Sequence, residues 1–426
     1  MAKDSKHQRR SRQFKPNHIG RSSSIPWLGR TRLMAHVQQS AVNLKQGSKF
    51  PSLAAFLKVT PWLWHYLLSI FHKKFAPYPG YKLDGEDGVY PLHAKHGRKA
   101  IRLAIAGDWG TGTEEAFHVG EQMENFAPDY TIHLGDVYYV GDGSEVAENF
   151  LGKDGGAYEP VSFPRGSTGT LALAGNHELY CGGEPYFTQV LPYCETGTGK
   201  PQQAAFFCLE TEHWRFIGLD TGYNSTGTRI LGSLPLLQNI PLFGADCHLE
   251  KKLLDWLRVN VKPKEHPKAT ILLSHQQYFS AFNDAVFPTP AKQLKKFFAG
   301  KDVVWIWGHE HRLAIYDLFS PDGSIRCYGR CLGNGGMPIE TGVPSTKKAP
   351  CTFYDARQDY ELGDKSKAGW NGCMLMTVEG TSARMEYVDL RGTVLFAETF
   401  VAGTDGALSY SYETPVPVLT AASEIS

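Results

Sequence analysis

The chain has 426 residues, 42% hydrophobic and 20% charged, with 44 Lys/Arg against 43 Asp/Glu. That length and composition suit one large α/β domain with extensions and exclude a chain too polar to bury a core. The near-neutral balance hides an asymmetry: the first 35 residues hold nine Lys/Arg and one Asp, so the remainder is net acidic.

In chain order, residues 1–48 read as a basic, disordered tail with Ser22-Ser23-Ser24. Such a tail is a solvated segment or a weak contact for a polyanion or a membrane surface. Its basic start has no apolar stretch and small-residue cleavage site behind it, so no export signal is read and a cytoplasmic location is expected. Residues 49–95 read as a helical N-terminal extension. Its most apolar run, Trp62 to Phe71, is ten residues long, against roughly 20 for a membrane-spanning helix. It is expected to form a helix after Pro61 and dock on the main domain. The eight cysteines match no zinc-ribbon spacing and read as reduced, mostly buried thiols. Cys181 and Cys194 bracket a loop and would pair in an oxidising compartment.

From residue 96 to 402 the pattern is that of a main domain, followed by a C-terminal tail over 403–426. Ile101 to Ala106 is a short apolar run stopping at Gly107-Asp108, the mark of a buried strand feeding a loop. Thr113, with Glu114 and Glu115 after it, caps a predicted helix to about Phe126. Tyr130 to Leu134 and Leu171 to Ala174 repeat the strand-to-loop device. Ala204 to Leu209 and Trp214 to Leu219 predict a hairpin, and Asp246 is read as the cap of an amphipathic helix through Leu257. Ile271 to Leu273 and Val303 to Trp307 are further buried strands. Residues 313–331 and 373–400 read as strands turning at Asp322-Gly323 and Arg391-Gly392.

Five motifs sit at the ends of these strands: Gly107-Asp108-Trp109-Gly110, Gly135-Asp136-Val137-Tyr138-Tyr139, Gly175-Asn176-His177-Glu178, Leu272-Leu273-Ser274-His275 and Gly308-His309-Glu310-His311. The carboxyl edge of an α/β sheet is where sites assemble. A lone Gly-Asp is usually a turn, and a lone His is usually a satisfied core residue. The ordered set instead supplies carboxylates, a phenol, an amide and imidazoles. Two hard or borderline metal ions need that mixture when one carboxylate bridges them at about 3.5–4 Å. His177, directly after Asn176, must point elsewhere and suits a proton donor better than a ligand.

On these motifs, residues 100–400 resemble the calcineurin-like metallophosphoesterase superfamily, and most closely its purple acid phosphatase branch. Most of the superfamily has a His two places after the first Asp, where this chain has Gly110. The branch offsets that loss with a Tyr three places after the second Asp, where this chain has Tyr139. A phenolate on iron(III) gives the branch its colour. The resemblance implies a four-layer αββα sandwich with two mixed β-sheets. It implies that Asp108, Tyr139 and His311 bind a first metal, Fe(III). Asn176, His275 and His309 would bind a second, Zn(II), Mn(II) or Fe(II), with Asp136 as the bridge. Three anionic ligands do not neutralise such a pair, so the site stays cationic and attracts phosphate. Hydroxide held by the metals would attack phosphorus in line while His177 serves the leaving oxygen.

The chain departs from the branch in places. Gln276-Gln277 replaces the usual small residue and Pro after the fourth motif, and Asn283-Asp284 stands near where plant members carry a pair of His. Gly333-Asn334-Gly335-Gly336 either lies by the site or is a plain turn. The expected function is hydrolysis of a small phosphomonoester substrate. A phosphodiesterase acting on a cyclic nucleotide, lipid head group or nucleic acid is the alternative, and a metal-binding scaffold without catalysis is a third possibility.

Overall fold

The structure is a computed structural model that describes residues 75–84, 87–153, 160–226, 246–282, 284–340, 342–361 and 367–413. The basic tail and the apolar run 62–71 lie outside the described residues.

Two mixed sheets face each other. The first comprises β1 (Val89–Pro91), β5 (Phe207–Glu210), β6 (Trp214–Gly218), β7 (Ala269–Ser274), β8 (Asp302–Trp307), β10 (Arg326–Leu332), β9 (Leu313–Phe319) and β11 (Cys351–Tyr354), in that spatial order. The second runs β17 (Leu408–Glu413), β16 (Val394–Ala402), β15 (Ser382–Asp389), β14 (Gly372–Glu379), β2 (Ile101–Ala106), β3 (Tyr130–His133) and β4 (Gly169–Ala172). A two-stranded ribbon, β12 (Tyr360–Glu361) with β13 (Lys367–Ala368), lies apart from both. Strands β2, β3 and β4 are mutually parallel, as are β6, β7, β8 and β10. Each sheet therefore delivers several carboxyl ends to one edge.

Apolar side chains of both sheets meet in one core that joins Leu103, Ile105, Ile132 and Met374 to Phe216, Ile271 and Ile306. The outer faces are covered by helices. Helix α1 (Glu114–Asn125) packs Val119 and Met123 on one side. Helix α2 (Lys251–Trp256) and helix α3 (Thr289–Phe298) pack Leu253, Trp256, Leu294 and Phe297 on the other. The result is the αββα sandwich. Strands β2, β3 and β7 are covered on both faces, which is why they read as continuous apolar runs. Between the sheets, Arg330 of β10 makes a bidentate pair with Glu398 of β16 at 2.6 Å, with both side chains fully buried. Tyr387 donates to the same carboxylate at 2.6 Å. Such a pair adds register as well as contact.

Thr113 caps α1 as expected, its hydroxyl accepting from the Ala116 amide at 3.2 Å. The Asp246 cap is corrected. Helix α2 starts after Glu250, because Cys247 holds a left-handed φ of 51° that no helix can pass through. Asp246 instead accepts from the His248 amide and ring. The tail reading of 403–426 is also corrected. Residues 408–413 form edge strand β17, with Tyr410 and Tyr412 stacked on Phe400 and Phe396 at 4.8 and 5.7 Å between ring centres. Residues 89–91 of the segment read as a helical extension form β1, paired with β5. All eight cysteines, Cys181 and Cys194 included, are free thiols. Among the described residues, no helix is long and apolar enough to cross a membrane.

Candidate metal centre

Four motifs follow the carboxyl ends of β2, β3, β4 and β8, and the fourth in chain order lies on β7 itself with His275 just past its end. The loops there are tight. Asp108, Asp136 and His309 hold positive φ values of 57°, 72° and 65°. Non-glycine residues rarely take that conformation, and it concentrates at functional sites where the surrounding structure enforces it. Gly175 is required for a different reason: a Cβ there would overlap Asp136 Oδ1. Gly110 leaves no room for the superfamily's usual His, since its Cβ would lie 2.9 Å from the Val137 Cα.

Asp136 is the hub. Its Oδ1 accepts from the His177 amide at 3.0 Å. Its Oδ2 accepts from the Tyr138 hydroxyl at 3.1 Å and lies 3.1 Å from His275 Nε2. Asp108 lies beside it, Oδ1 accepting from Tyr138 at 2.7 Å and Oδ2 accepting from the His309 amide at 2.8 Å. His311 Nε2 stands 2.9 Å from the Tyr138 oxygen and 3.4 Å from Asp108 Oδ1. Ligand atoms of Asp136, His275 and His309 all fall within 4.8 Å of one another. Asn176 heads a short helix, Asn176–Tyr180.

These donors fit cations better than they fit each other. His275 Nδ1 donates to the Leu134 carbonyl at 2.9 Å, which leaves Nε2 facing the Asp136 carboxylate off the hydrogen-bond direction and without a hydrogen-bond partner. His311 Nδ1 is also buried without a partner. Burial opposes charge on His275, yet the Asp136 and Asp108 carboxylates beside it push its pKa up to about 9. Burial, then the neighbouring His275 charge, takes His309 down to about 4. Burial and the same two carboxylates hold the Tyr138 phenol well above its usual value. The pocket thus calls for positive charge, which a bound cation supplies more fully than a proton on one imidazole.

The sequence model of the calcineurin-like phosphoesterases matches residues 101–313, half of the chain. The chain belongs to the calcineurin-like phosphoesterase family. Solved structures similar to it include a purple acid phosphatase, PPD1, from yellow lupin seeds, at 15% identity and a TM-score of 0.47, covering 73% of this chain. The chain spans 54% of that lupin protein. Others are GAP50, described as the anchor in the inner membrane complex of Plasmodium (14% identity, TM-score 0.44, covering 72% of this chain and 90% of that one), and PhoD (11%, 0.43, 76% and 74%). No curated protein matches the sequence.

In this calcineurin-like phosphoesterase, six of the seven expected ligands, Asp108, Asp136, Asn176, His275, His309 and His311, lie at the shared strand edge. The seventh differs. The phenol that bonds the Asp108 and Asp136 carboxylates is that of Tyr138, the residue before the expected Tyr139. The Tyr138 amide donates to the Gly110 carbonyl and its own carbonyl accepts from Asn149, which pins the residue against the first motif. Tyr139 sits in a small cluster with Tyr138 and Met337, and its carbonyl accepts from His177 Nδ1 at 2.6 Å. Sequence reasoning also missed Glu178. That buried carboxylate accepts from the amides of Val137 and Gly175 at 2.8 Å and of Asp136 at 3.2 Å. Its place three residues after Gly175, the position of a capping box, was the available signal. Arg312, next to the fifth motif, is taken up by Asp284, Glu310 and Glu340 at 2.9–3.1 Å, so it is not poised to meet a substrate. Asn283 lies outside the described residues. The glycine-rich stretch packs beneath the first motif, the Gly335 amide donating to the Gly107 carbonyl at 3.0 Å.

Proposed function

We propose that the chain is a dinuclear-metal hydrolase of phosphomonoesters. One observation carries this reading: ligand atoms of Asp136, His275 and His309 gather within 4.8 Å of one another, and Tyr138 links Asp136 to Asp108 and His311 beside them. Asp108, Tyr138 and His311 would hold one cation, Asn176, His275 and His309 the other, with Asp136 between them. The phenol and carboxylate set suits Fe(III). The amide and imidazole set suits Zn(II), Mn(II) or Fe(II). When bound, such a pair acidifies water towards a pKa of about 7 and neutralises charge developing on the phosphoryl oxygens.

The protein's own groups do the rest. Glu178 grips the backbone amides of Asp136 and Val137 and so sets the direction of the second motif. His177 donates from Nδ1 to the Tyr139 carbonyl, which turns Nε2 towards the cluster, 3.8 Å from Asp136 Oδ2. From there Nε2 can pass a proton to a leaving oxygen; burial lowers its pKa, and the Asp136 carboxylate works against that shift.

Initial rates on p-nitrophenyl phosphate and bis-p-nitrophenyl phosphate, measured with metal-loaded protein, test the reaction class. The monoester should be strongly preferred. Preference for the diester would transfer the site to phosphodiester chemistry. The choice of phenol has its own test. Iron(III)-loaded protein should show a visible tyrosinate-to-iron absorption band that Tyr138→Phe removes and Tyr139→Phe retains. The reverse pattern would return the ligand role to Tyr139.

A further inference from the structure

Asn176 is a demanding ligand, because its carboxamide binds a cation through oxygen alone. The two ends of the amide differ by one atom, and rotation about its last bond exchanges them. Something must hold the oxygen end inwards. Among the described residues, two side chains bond to this amide. Tyr180, four residues on and one turn along the same helix, accepts a hydrogen bond from Asn176 Nδ2 at 3.0 Å. Gln276 donates from Nε2 to Asn176 Oδ1 at 3.4 Å.

Both neighbours are themselves held. Gln276 is buried, its amide donating to the Thr221 hydroxyl at 3.1 Å and its carbonyl accepting from Ser274 at 2.9 Å. Trp305 donates to the Ser274 hydroxyl at 2.9 Å and fixes it in turn. Gln276 Oε1 is buried without a partner. The Tyr180 ring packs edge-on against the His177 ring at 4.9 Å between centres. One phenol thus touches both the amide and the proposed proton donor, and the departure at Gln276 noted in the sequence supplies the other contact.

We infer that Tyr180 and Gln276 are positioning residues that grip the Asn176 carboxamide from its two ends and present its oxygen to the divalent cation. This rests on the proposed dinuclear reading. Partners that orient a metal ligand typically change metal affinity about 10–100-fold when lost.

The test is equilibrium binding of Zn(II) to the metal-stripped full-length chain by competition with a chromogenic chelator. Wild type, Tyr180→Phe, Gln276→Met, Asn176→Ala and the Asn176→Ala/Tyr180→Phe double variant are compared. Wild type should bind two ions. Tyr180→Phe should weaken one of them about 10–100-fold and leave the other unchanged, and Gln276→Met should weaken the same one. The double variant should bind no worse than Asn176→Ala alone, because the phenol acts through the amide. Wild-type affinity in both single variants would overturn the inference while leaving the dinuclear reading standing. So would a Tyr180→Phe effect that persists at full size in the Asn176→Ala background. Failure of the wild-type chain to bind two ions would overturn both.

Discussion

Replacing Asp136 by Ala should abolish cation binding and turnover together. The carboxylate is buried, and its two oxygens engage Tyr138, His275 and the His177 amide. Its loss removes a negative charge from a dry interior in which His275 and any bound cation depend on it. The rate on p-nitrophenyl phosphate should fall by at least about 10³-fold, given that one lost electrostatic contact costs 10²–10³ and this variant loses several. Metal analysis of the purified variant should show less than the wild-type content. Asp136→Asn separates the causes, since it keeps the shape and an acceptor for the His177 amide while losing the charge. Wild-type activity in Asp136→Ala would remove the basis of the proposed function.

His177→Asn should lower turnover by about 10²–10⁴-fold on an alkyl phosphate, the usual range for a lost general acid. On p-nitrophenyl phosphate the loss should be far smaller, because that leaving group departs without help from a proton. Metal content should stay at the wild-type level, since His177 bonds the Tyr139 carbonyl through Nδ1 and is not among the residues proposed to hold a cation. Equal losses on the two substrates would show that His177 orients the phosphate instead of protonating the leaving oxygen.

The strands that carry the site were legible because each is a short apolar run buried on both faces and cut off by a loop residue. Ile101 to Ala106 ahead of Gly107-Asp108 is the clearest case. The turns at Asp322-Gly323 and Arg391-Gly392 were legible from residues that tolerate tight backbone. The edge strand Leu408–Glu413 was missed although Leu408, Tyr410 and Tyr412 alternate with polar residues. Its polar, exposed face resembles a tail until Phe396 and Phe400 are known to lie beneath it. The start of helix α2 was misplaced because Asp246 is a good cap in isolation. The backbone at Cys247, set by packing, forbids the helix there.

The chemistry of the site was thus written in local sequence. Asp, Asn and His placed directly after glycine at strand ends have few other uses in combination, and their spacing survives without any knowledge of the fold. Which of two adjacent phenols faces the carboxylates was decided by tertiary structure alone. The Tyr138 hydroxyl lies between Asp108 and Asp136, and its amide donates to the Gly110 carbonyl, a contact that joins the first two motifs. The same holds for Glu178 under the second motif and for Tyr180 and Gln276 around Asn176. Sequence determines which groups a residue can offer, whereas the direction in which it offers them depends on hydrogen bonds to partners that meet only when neighbouring strands pair and the two sheets close.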